Sequence, residues 1–190
     1  MSTRIEPLMT VDDLEAMPED GNRYEVIEGE LFVSRAPGLS HQIVATNIVI
    51  LFGFYLRENP LGEIVATPGL ILDRYSGVIP DIVFFTHKRG EKIINKERLA
   101  ASPELVMEIL SPGRENIARD RVAKRKLYGK HGVQEYWIVD SHDTSVEIYR
   151  LQETVLELDT IVRGDDEINS PLLPGFKCKA SAFFMRQKLP

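Results

Sequence analysis

The sequence of 190 residues has few of the residues that build disulfide or zinc sites. It contains one cysteine and four scattered histidines. A single cysteine forms no internal disulfide, which suits a reducing cytosol, and no Cys/His spacing is typical of structural zinc. There is also no P-loop and no Gly-x-Ser-x-Gly motif. Lys177 and Lys179 would lower the pKa of Cys178, but no histidine is placed beside it, so we do not expect a nucleophilic thiol.

The sequence also lacks a long uninterrupted hydrophobic run. Its longest apolar stretch, residues 43–56, is broken by polar residues and Gly53, and it is shorter than the roughly 20 residues of a membrane span. Residues 1–4 lead into acidic residues rather than an apolar signal core. We therefore expect a cytoplasmic protein with no membrane partner.

The composition is that of an ordinary globular protein, with 43% hydrophobic and 27% charged residues. This mixture excludes disorder as the main state. No repeat, low-complexity stretch or linker divides the chain, so residues 1–190 are interpreted as one domain. The net charge of −6 argues against a protein coated uniformly by nucleic acid, but it does not exclude a local basic site.

Two helices and a hairpin are predicted in the first third of the chain. Thr10 is placed to cap a short helix that begins with two aspartates. Residues 24–33 alternate between apolar and polar side chains, which predicts two short strands around a turn at Glu28-Gly29. Ser40 is then predicted to cap a helix that ends near Arg57. Its expected apolar stripe consists of Ile43, Ile50 and Phe54.

The rest of the chain alternates between apolar runs and breaks that contain proline or glycine, which is typical of sheet strands. The run Leu-Val-Met-Glu-Ile-Leu at 105–110 is almost continuous, which predicts a central strand covered on both faces. A charged helix is expected over 116–131, closed by Gly132. Further strands are predicted at 64–66, 70–73, 82–85, 136–139, 146–149 and 155–162, a turn at 171–174 and a short helix at 180–186. The predicted fold class is α/β or α+β, with a mixed central sheet flanked by helices.

Two acidic residues interrupt predicted apolar strands. Glu108 lies inside the central run, and Asp81 precedes the run at 82–85. A buried carboxylate is costly unless it is paired, hydrogen-bonded or bound to a metal. Two carboxylates on neighbouring strands, with the backbone carbonyl of Ile109, would suit Mg²⁺. The structural alternative is a Pro-Asp turn at Asp81 and a solvent-facing position at Glu108.

The predicted helix after Glu108 is strongly basic, with seven basic and two acidic residues between Gly113 and Gly132. Such a helix beside a carboxylate pair suits a phosphate-containing substrate. An ordinary solvated helix face is the alternative. The residues expected to contact nucleic acid are Arg114, Arg119, Arg121 and Arg125.

Asp120, Lys124 and Tyr128 are spaced four residues apart and share one face of this helix. If that face is directed toward Glu108, Lys124 could orient an attacking water or stabilise developing negative charge. Asp120 and Tyr128 would assist. His41 and Glu30 are further candidate auxiliary residues, although His41 could also simply cap or pack its helix.

The sequence resembles the Uma-two family, a group of restriction-endonuclease-like proteins in the PD-(D/E)XK nuclease superfamily. The resemblance is carried by Pro80-Asp81, by Glu108-Ile109-Leu110-Ser111-Pro112, by Asp120-x3-Lys124-x3-Tyr128 and by residues 132–140. It implies a nuclease fold, with Asp81 and Glu108 binding Mg²⁺ or Mn²⁺. Leu110 stands where the superfamily usually has its lysine, so the resemblance assigns that role to Lys124 on the following helix.

Three functions remain open from the sequence. The first is a metal-dependent endonuclease that acts on DNA, with Asp81, Glu108 and Lys124 as its catalytic residues. The second is a nucleic-acid-binding or regulatory module that keeps the nuclease fold with little or no turnover. A glycosidase with paired carboxylates is weaker, because it gives Lys124 and the basic helix no role. By analogy with small nucleases that cut two strands, we expect a homodimer.

Overall fold

A computed structural model describes residues 8–186, and residues 1–4, which carried the expectation about an N-terminal signal, lie outside this range. The helices are α1 (Val11–Leu14), α2 (Leu39–Glu58), α3 (His87–Ile93), α4 (Arg114–Ala118) and α5 (Arg125–Lys130), with a π-helical segment at Arg119–Lys124 and a 3-10 helix at Ala180–Phe184. The strands of the first half are β1 (Arg23–Ile27), β2 (Glu30–Ser34), β3 (Gly62–Ala66), β4 (Leu70–Asp73), β5 (Ser76–Val78), β6 (Ile82–Thr86), β7 (Ile94–Asn95) and β8 (Arg98–Leu99). Those of the second half are β9 (Leu105–Ile109), β10 (Glu135–Asp140), β11 (Ser145–Gln152), β12 (Val155–Arg163), β13 (Glu167–Ile168) and β14 (Cys178–Lys179).

The central sheet has the strand order β12-β11-β10-β9-β6-β3. Strands β9 and β10 run parallel, while the other neighbours in this sheet run antiparallel. A second mixed sheet has the order β2-β1-β5-β4-β8-β7. The prediction of a mixed central sheet flanked by helices is therefore confirmed.

Strand β9 is the central strand that its sequence predicts. All five of its residues are buried, because β10 and β6 pair with its edges while helices and the second sheet cover its faces. Its side chains alternate between two buried clusters. Leu105 and Met107 face the cluster with α2, and Val106 faces the cluster with α5.

The hairpin of β1 and β2 and the capped start of α1 follow the sequence closely. Glu28 and Gly29 both have positive φ angles, +49° and +86°, in the tight turn that joins β1 to β2. The backbone N–H of Thr10 donates a hydrogen bond of 2.7 Å to the Asp13 carboxylate at the start of α1. Gly132, also at positive φ, closes the charged helix as predicted.

Two predictions about α2 are wrong. The helix is capped by Gly38, so Ser40 lies within it. Its buried apolar face consists of Val44, Ile48 and Phe52, whereas two members of the predicted stripe are exposed, Ile50 by 49% and Phe54 by 66%. Because α2 is apolar on almost every side, periodicity could not select the face that the sheet covers.

The same composition makes α2 long and apolar enough to cross a membrane, with a mean hydropathy of 1.5. One such helix is weak evidence, because a helix in the core of a soluble protein has the same character. Here Val44, Ile48 and Phe52 pack into the core cluster beneath the central sheet. The absence of a membrane partner stays a prediction.

Candidate active site

The register between β6 and β9 brings the two candidate metal ligands together. Ile82 lies opposite Met107 in this antiparallel pair, so the preceding Asp81 lies beside Glu108. The backbone N–H of Asp81 donates to Glu108 Oε2 at 3.4 Å, and the backbone N–H of Ile109 donates to Asp81 Oδ2 at 2.9 Å. The carboxylates of Asp81 and Glu108 therefore lie close together at one end of the β6–β9 strand pair.

Basic side chains surround Asp81. His41 Nε2 lies 2.9 Å from Asp81 Oδ2, and Arg23 Nη1 lies 3.3 Å from Asp81 Oδ1. Burial by itself raises the pKa of Asp81, but the hydrogen bond and charge of His41, the Ile109 N–H and the charge of Lys124 together hold this pKa below its usual value. Asp81 is thus the carboxylate that stays ionised.

Glu108 has the opposite character. Burial raises the pKa of Glu108 to about 8; the charge of Lys124 opposes this shift, and the negative charges of Asp81, Asp120 and Glu25 add to it. Glu108 Oε1 accepts hydrogen bonds from Lys124 Nζ at 2.9 Å and from the Tyr128 hydroxyl at 2.8 Å. Two carboxylates side by side therefore have pKa values displaced in opposite directions, which is typical of functional sites.

The segment of π-helix positions Lys124. It spans Arg119–Lys124, and its wider turn, with i→i+5 hydrogen bonds, buries both Asp120 and Lys124. Lys124 Nζ lies 4.0 Å from Asp120 Oδ1, and the Asp120 backbone carbonyl accepts a hydrogen bond from Tyr136. The predicted face of Asp120, Lys124 and Tyr128 is indeed directed toward Glu108.

Glu25 is a site residue that the sequence reading missed. Lys124 Nζ lies 2.8 Å from Glu25 Oε1, and the Ile79 backbone N–H donates to the same oxygen at 2.8 Å. Glu25 is only 3% exposed and interrupts the apolar residues of β1, as Glu108 interrupts those of β9. A carboxylate that interrupts an apolar strand is the sequence signal that marks Glu25, whereas the prediction for this hairpin named Glu30.

Lys124 is fixed and permanently charged in this arrangement. Burial alone would lower its pKa, but the charges of Glu108, Glu25 and Asp120 raise it well above the ordinary value. A protonated lysine can donate hydrogen bonds and stabilise negative charge, whereas it cannot accept a proton. Of the two roles predicted for Lys124, charge stabilisation therefore fits this geometry better.

The other predicted residues are divided between the site and its surroundings. Arg119 lines the site pocket and donates to Asp120 Oδ1 at 3.0 Å. Arg121 instead pairs with Glu147 and Asp140, and the guanidinium of Arg125 lies 5.2 Å from the centre of the Tyr149 ring. Arg114 is exposed at the start of α4, and it does not line the pocket. The predicted basic surface is thus not continuous, because α4, the π-helical segment and α5 direct successive arginines to different sides.

Glu30 is exposed and lies outside the pocket. It shares a face of the β1–β2 hairpin with Glu25, because Glu25 pairs with Phe32 and Glu30 pairs with Ile27. Glu30 is nevertheless two residue pairs closer to the turn than Glu25 is, which separates the two residues by about 7 Å along the strand direction. Its predicted auxiliary role gains no support from its position.

The pKa of Cys178 is shifted in the direction opposite to the one predicted from its flanking lysines. Burial, followed by the charge of Glu167, raises the pKa of Cys178 to about 12. The flanking lysines do not counter this, because Lys177 pairs with Glu167 and Lys179 with Asp165. This thiol remains protonated near neutral pH, in agreement with the expectation that it is not a nucleophile.

The pocket above Asp81 and Glu108 has a volume of about 340 Å³. Two segments form its walls: residues 34–38, from the end of β2 to the residue before α2, and residues 111–116, from the loop after β9 into the first turn of α4. Asp81 and Glu108 supply the hard oxygen ligands that Mg²⁺ prefers, and Mg²⁺ needs only one or two carboxylates together with water. Within residues 8–186, no group of three or more histidine, cysteine, aspartate or glutamate side chains is arranged to hold a metal. The oxygen ligands of Asp81 and Glu108 are by themselves compatible with such an ion.

Comparisons with known proteins agree with this architecture. The sequence profile of the Uma2 family, described as "Putative restriction endonuclease", matches residues 11–181. A solved structure from Anabaena variabilis, described as a putative nuclease belonging to DUF820, is similar with a TM-score of 0.75 and 20% identity. The match covers 93% of this chain and 97% of that one, which establishes the shared fold. The search among curated proteins finds no match.

Proposed function

Since the chain belongs to the Uma2 family of restriction-endonuclease-like proteins, we propose that it is a metal-dependent endonuclease that hydrolyses phosphodiester bonds in DNA. The observation that carries this proposal is the convergence of Asp81 and Glu108 at the end of β9. A divalent cation would meet two adjacent carboxylates there, and the backbone carbonyl of Ile109 is a third candidate ligand.

Asp81, Glu108 and Ile109 would hold Mg²⁺ or Mn²⁺ in this proposal. When bound, such an ion would polarise a phosphate oxygen and lower the pKa of a bound water. The pKa of Glu108 is high chiefly because the carboxylate is buried, with a further contribution from the negative charges of Asp81, Asp120 and Glu25, so an added cation would favour its ionised form.

The remaining site residues have roles that follow from their contacts. Lys124 stays protonated and would stabilise negative charge that develops on the phosphate. Glu25 and Asp120 keep its ammonium group in place, and Tyr128 orients Glu108. His41 and Arg23 would hold Asp81 in a fixed orientation. Arg119 is the predicted arginine best placed to contact the substrate phosphate.

The test is cleavage of plasmid and linear DNA with Mg²⁺ or Mn²⁺, compared with EDTA. Asp81→Asn and Glu108→Gln keep the shape of each side chain and remove its charge, so both should lose cleavage by at least about a hundredfold if they hold the metal. Glu63→Gln, at an exposed position of β3, is the matched control and should cut normally. Equal cleavage by all four proteins would contradict the proposal.

A second readout does not require turnover. A metal that binds the folded protein raises its melting temperature. Mn²⁺ should therefore raise the melting temperature of the wild type and of Glu63→Gln, but not that of Asp81→Asn. A similar increase in all three would indicate that the ion binds elsewhere.

The second candidate function is a nucleic-acid-binding or regulatory module. It is favoured by one observation: His41, Arg23, Lys124, Tyr128 and backbone N–H groups already engage both carboxylates. Binding of DNA in EDTA, without cleavage under any metal condition, would support this function over the first.

A further inference from the structure

The groups proposed to act on DNA are almost completely buried in the wall of the pocket. Asp81, Glu108 and Lys124 are only 6%, 3% and 1% exposed. The pocket volume of about 340 Å³ is at the lower end of the roughly 300–1,000 Å³ that enclose a small-molecule ligand. A duplex does not fit inside this space, so only one phosphate and its immediate neighbours could enter it.

The walls restrict how DNA can approach. One wall is the β2–α2 loop, which includes Arg35 and Pro37, and the other consists of the β9–α4 loop, which includes Pro112, and the first turn of α4, which includes Asn116. Proline fixes its own φ angle, so both walls contain a stiff position. A phosphate must pass between these loops to reach Asp81 and Glu108.

A phosphate of an intact duplex cannot readily do so. Duplex DNA is stiff, with a persistence length of about 150 base pairs, and both strands and their stacked bases accompany each phosphate. A single strand bends freely and can direct one nucleotide into a pocket. Enzymes whose reactive groups cannot reach into a duplex act on single-stranded or extruded nucleotides, because unpairing costs free energy.

Two arginines at the pocket provide positive charge for the phosphate backbone of the strand that enters it. Arg35 is exposed on one wall, and among residues 8–186 it forms no ion pair. Arg119 lines the same pocket. The lining contains no phenylalanine, tyrosine or tryptophan on which bases could stack, so contact would run mainly through the phosphate backbone.

We infer that the substrate strand is unpaired where it is cut, as in a single strand, a flap or a single-stranded tail. This inference rests on the proposed nuclease function and specifies its substrate class. A duplex would be cut only where it is frayed or distorted.

The test uses DNA of one sequence in three forms: single-stranded, blunt duplex, and duplex with a single-stranded tail. Binding is measured by fluorescence anisotropy in EDTA, and cleavage positions are mapped with Mn²⁺. The single strand should bind at least about tenfold more tightly than the blunt duplex. Cuts should fall within the tail. Equal affinity, or internal cuts in the blunt duplex at the same rate, would overturn the inference.

Failure of the inference can be distinguished from failure of the proposed function. If no form of DNA is cut, the nuclease function fails, and anisotropy alone decides whether the pocket prefers a single strand. Arg35→Gln should weaken binding of the single strand several-fold. The matched control is Arg57→Gln, exposed at the opposite end of α2, which should bind as the wild type does. An equal loss in both variants would indicate diffuse surface charge rather than the pocket.

Discussion

The two faces of the central sheet bury their residues in different ways. On one face, β9 directs Leu105 and Met107 against α2, where Phe52 packs edge to face on Trp137 with ring centroids 5.9 Å apart. On the other face, the same strand directs Glu108 toward Lys124. One strand thus faces an apolar core on one side, and on the other an apolar cluster that adjoins a network of buried charges.

Burial of a carboxylate does not by itself mark a site. Glu135 is buried on the apolar face, but its oxygens accept hydrogen bonds from Trp137, Ser170 and Arg150, and its position suits a structural role. Glu108 instead shares Lys124 with a second buried carboxylate, Glu25, and lies beside Asp81. Buried ion pairs often stabilise a protein no more than packed hydrocarbon of the same volume does, so this network is weak evidence for a purely stabilising role.

The largest expected effect is that of Lys124→Met. Removing the ammonium leaves Glu25, Glu108 and Asp120 buried without their shared cation, which should lower the free energy of unfolding by about 3–5 kcal/mol. Urea denaturation measures this value. Adding Glu25→Gln and Glu108→Gln to Lys124→Met should restore much of the loss.

Phe52→Ala is the matched change on the apolar face. It should also cost about 3–5 kcal/mol, because it leaves a cavity. The same two charge-neutralising substitutions should not rescue it. Equal rescue of both variants would mean that the two faces do not differ in the way described.

The next effect concerns pH. The pKa of Glu108 is raised from 4.5 to about 8 in the folded protein. Between these values the unfolded chain has lost this proton and the folded protein retains it, so stability should fall as pH rises through this range. In metal-free buffer, Glu108→Gln should show a shallower decline. Part of the slope will persist, because burial also raises the pKa values of Asp120 and Glu135.

The exposed variant Glu63→Gln provides the control for this pH series. It should retain the wild-type decline, since its side chain is in contact with solvent. Identical pH profiles for the wild type and Glu108→Gln would show that Glu108 titrates alike in both states.

A smaller effect is expected for Tyr128→Phe. Its hydroxyl donates to Glu108, and losing this hydrogen bond should cost about 1.5–3 kcal/mol above pH 8, where Glu108 is ionised, and about 0.5–1.5 kcal/mol below that pH, where it is neutral. Ile48→Val, the corresponding small deletion beside α2, should cost about 0.5–1.5 kcal/mol. Tyr128→Phe should be the more pH-dependent of the two, which chemical denaturation at two pH values would test.

The smallest effect is expected for Arg121→Gln. Its partially exposed guanidinium pairs with Glu147 and Asp140 near the surface, and such pairs contribute at most about 1 kcal/mol. DNA affinity should also stay close to that of the wild type, in contrast to Arg35→Gln. A large loss of affinity would restore Arg121 to the nucleic-acid-binding set that the sequence predicted.

Much of the fold could be predicted because its strands carry strong local signals. The interrupted apolar run around Glu108 and the Glu28-Gly29 turn are examples, and both are found where expected. The sequence reading did not predict α3 or the short strands β5, β7 and β8, since segments of two to seven residues have little periodicity. It also did not predict the π-helical segment, because a local widening of a helix leaves no simple sequence pattern.

The candidate site was predictable in part. The spacing of Asp120, Lys124 and Tyr128 indicated a shared helix face. The apolar residues around Asp81 and Glu108 indicated buried carboxylates, which are candidates for a functional site. Glu25 interrupts the apolar residues of β1, but that local signal does not tell whether it approaches a helix about a hundred residues later. Charge alone predicts one surface for Arg121 and Arg125, because the sequence does not show which way each side chain of the helix is directed.

The sequence alone determined most of the longer strands and helices, the burial of β9 and the position of Asp81 and Glu108 next to apolar strands, because these depend on short-range hydrophobic patterns. Only the tertiary structure decided which carboxylates share Lys124, which side of α2 is covered and which residues line the pocket. These properties depend on distances between segments far apart in the chain, which packing sets and local composition does not encode.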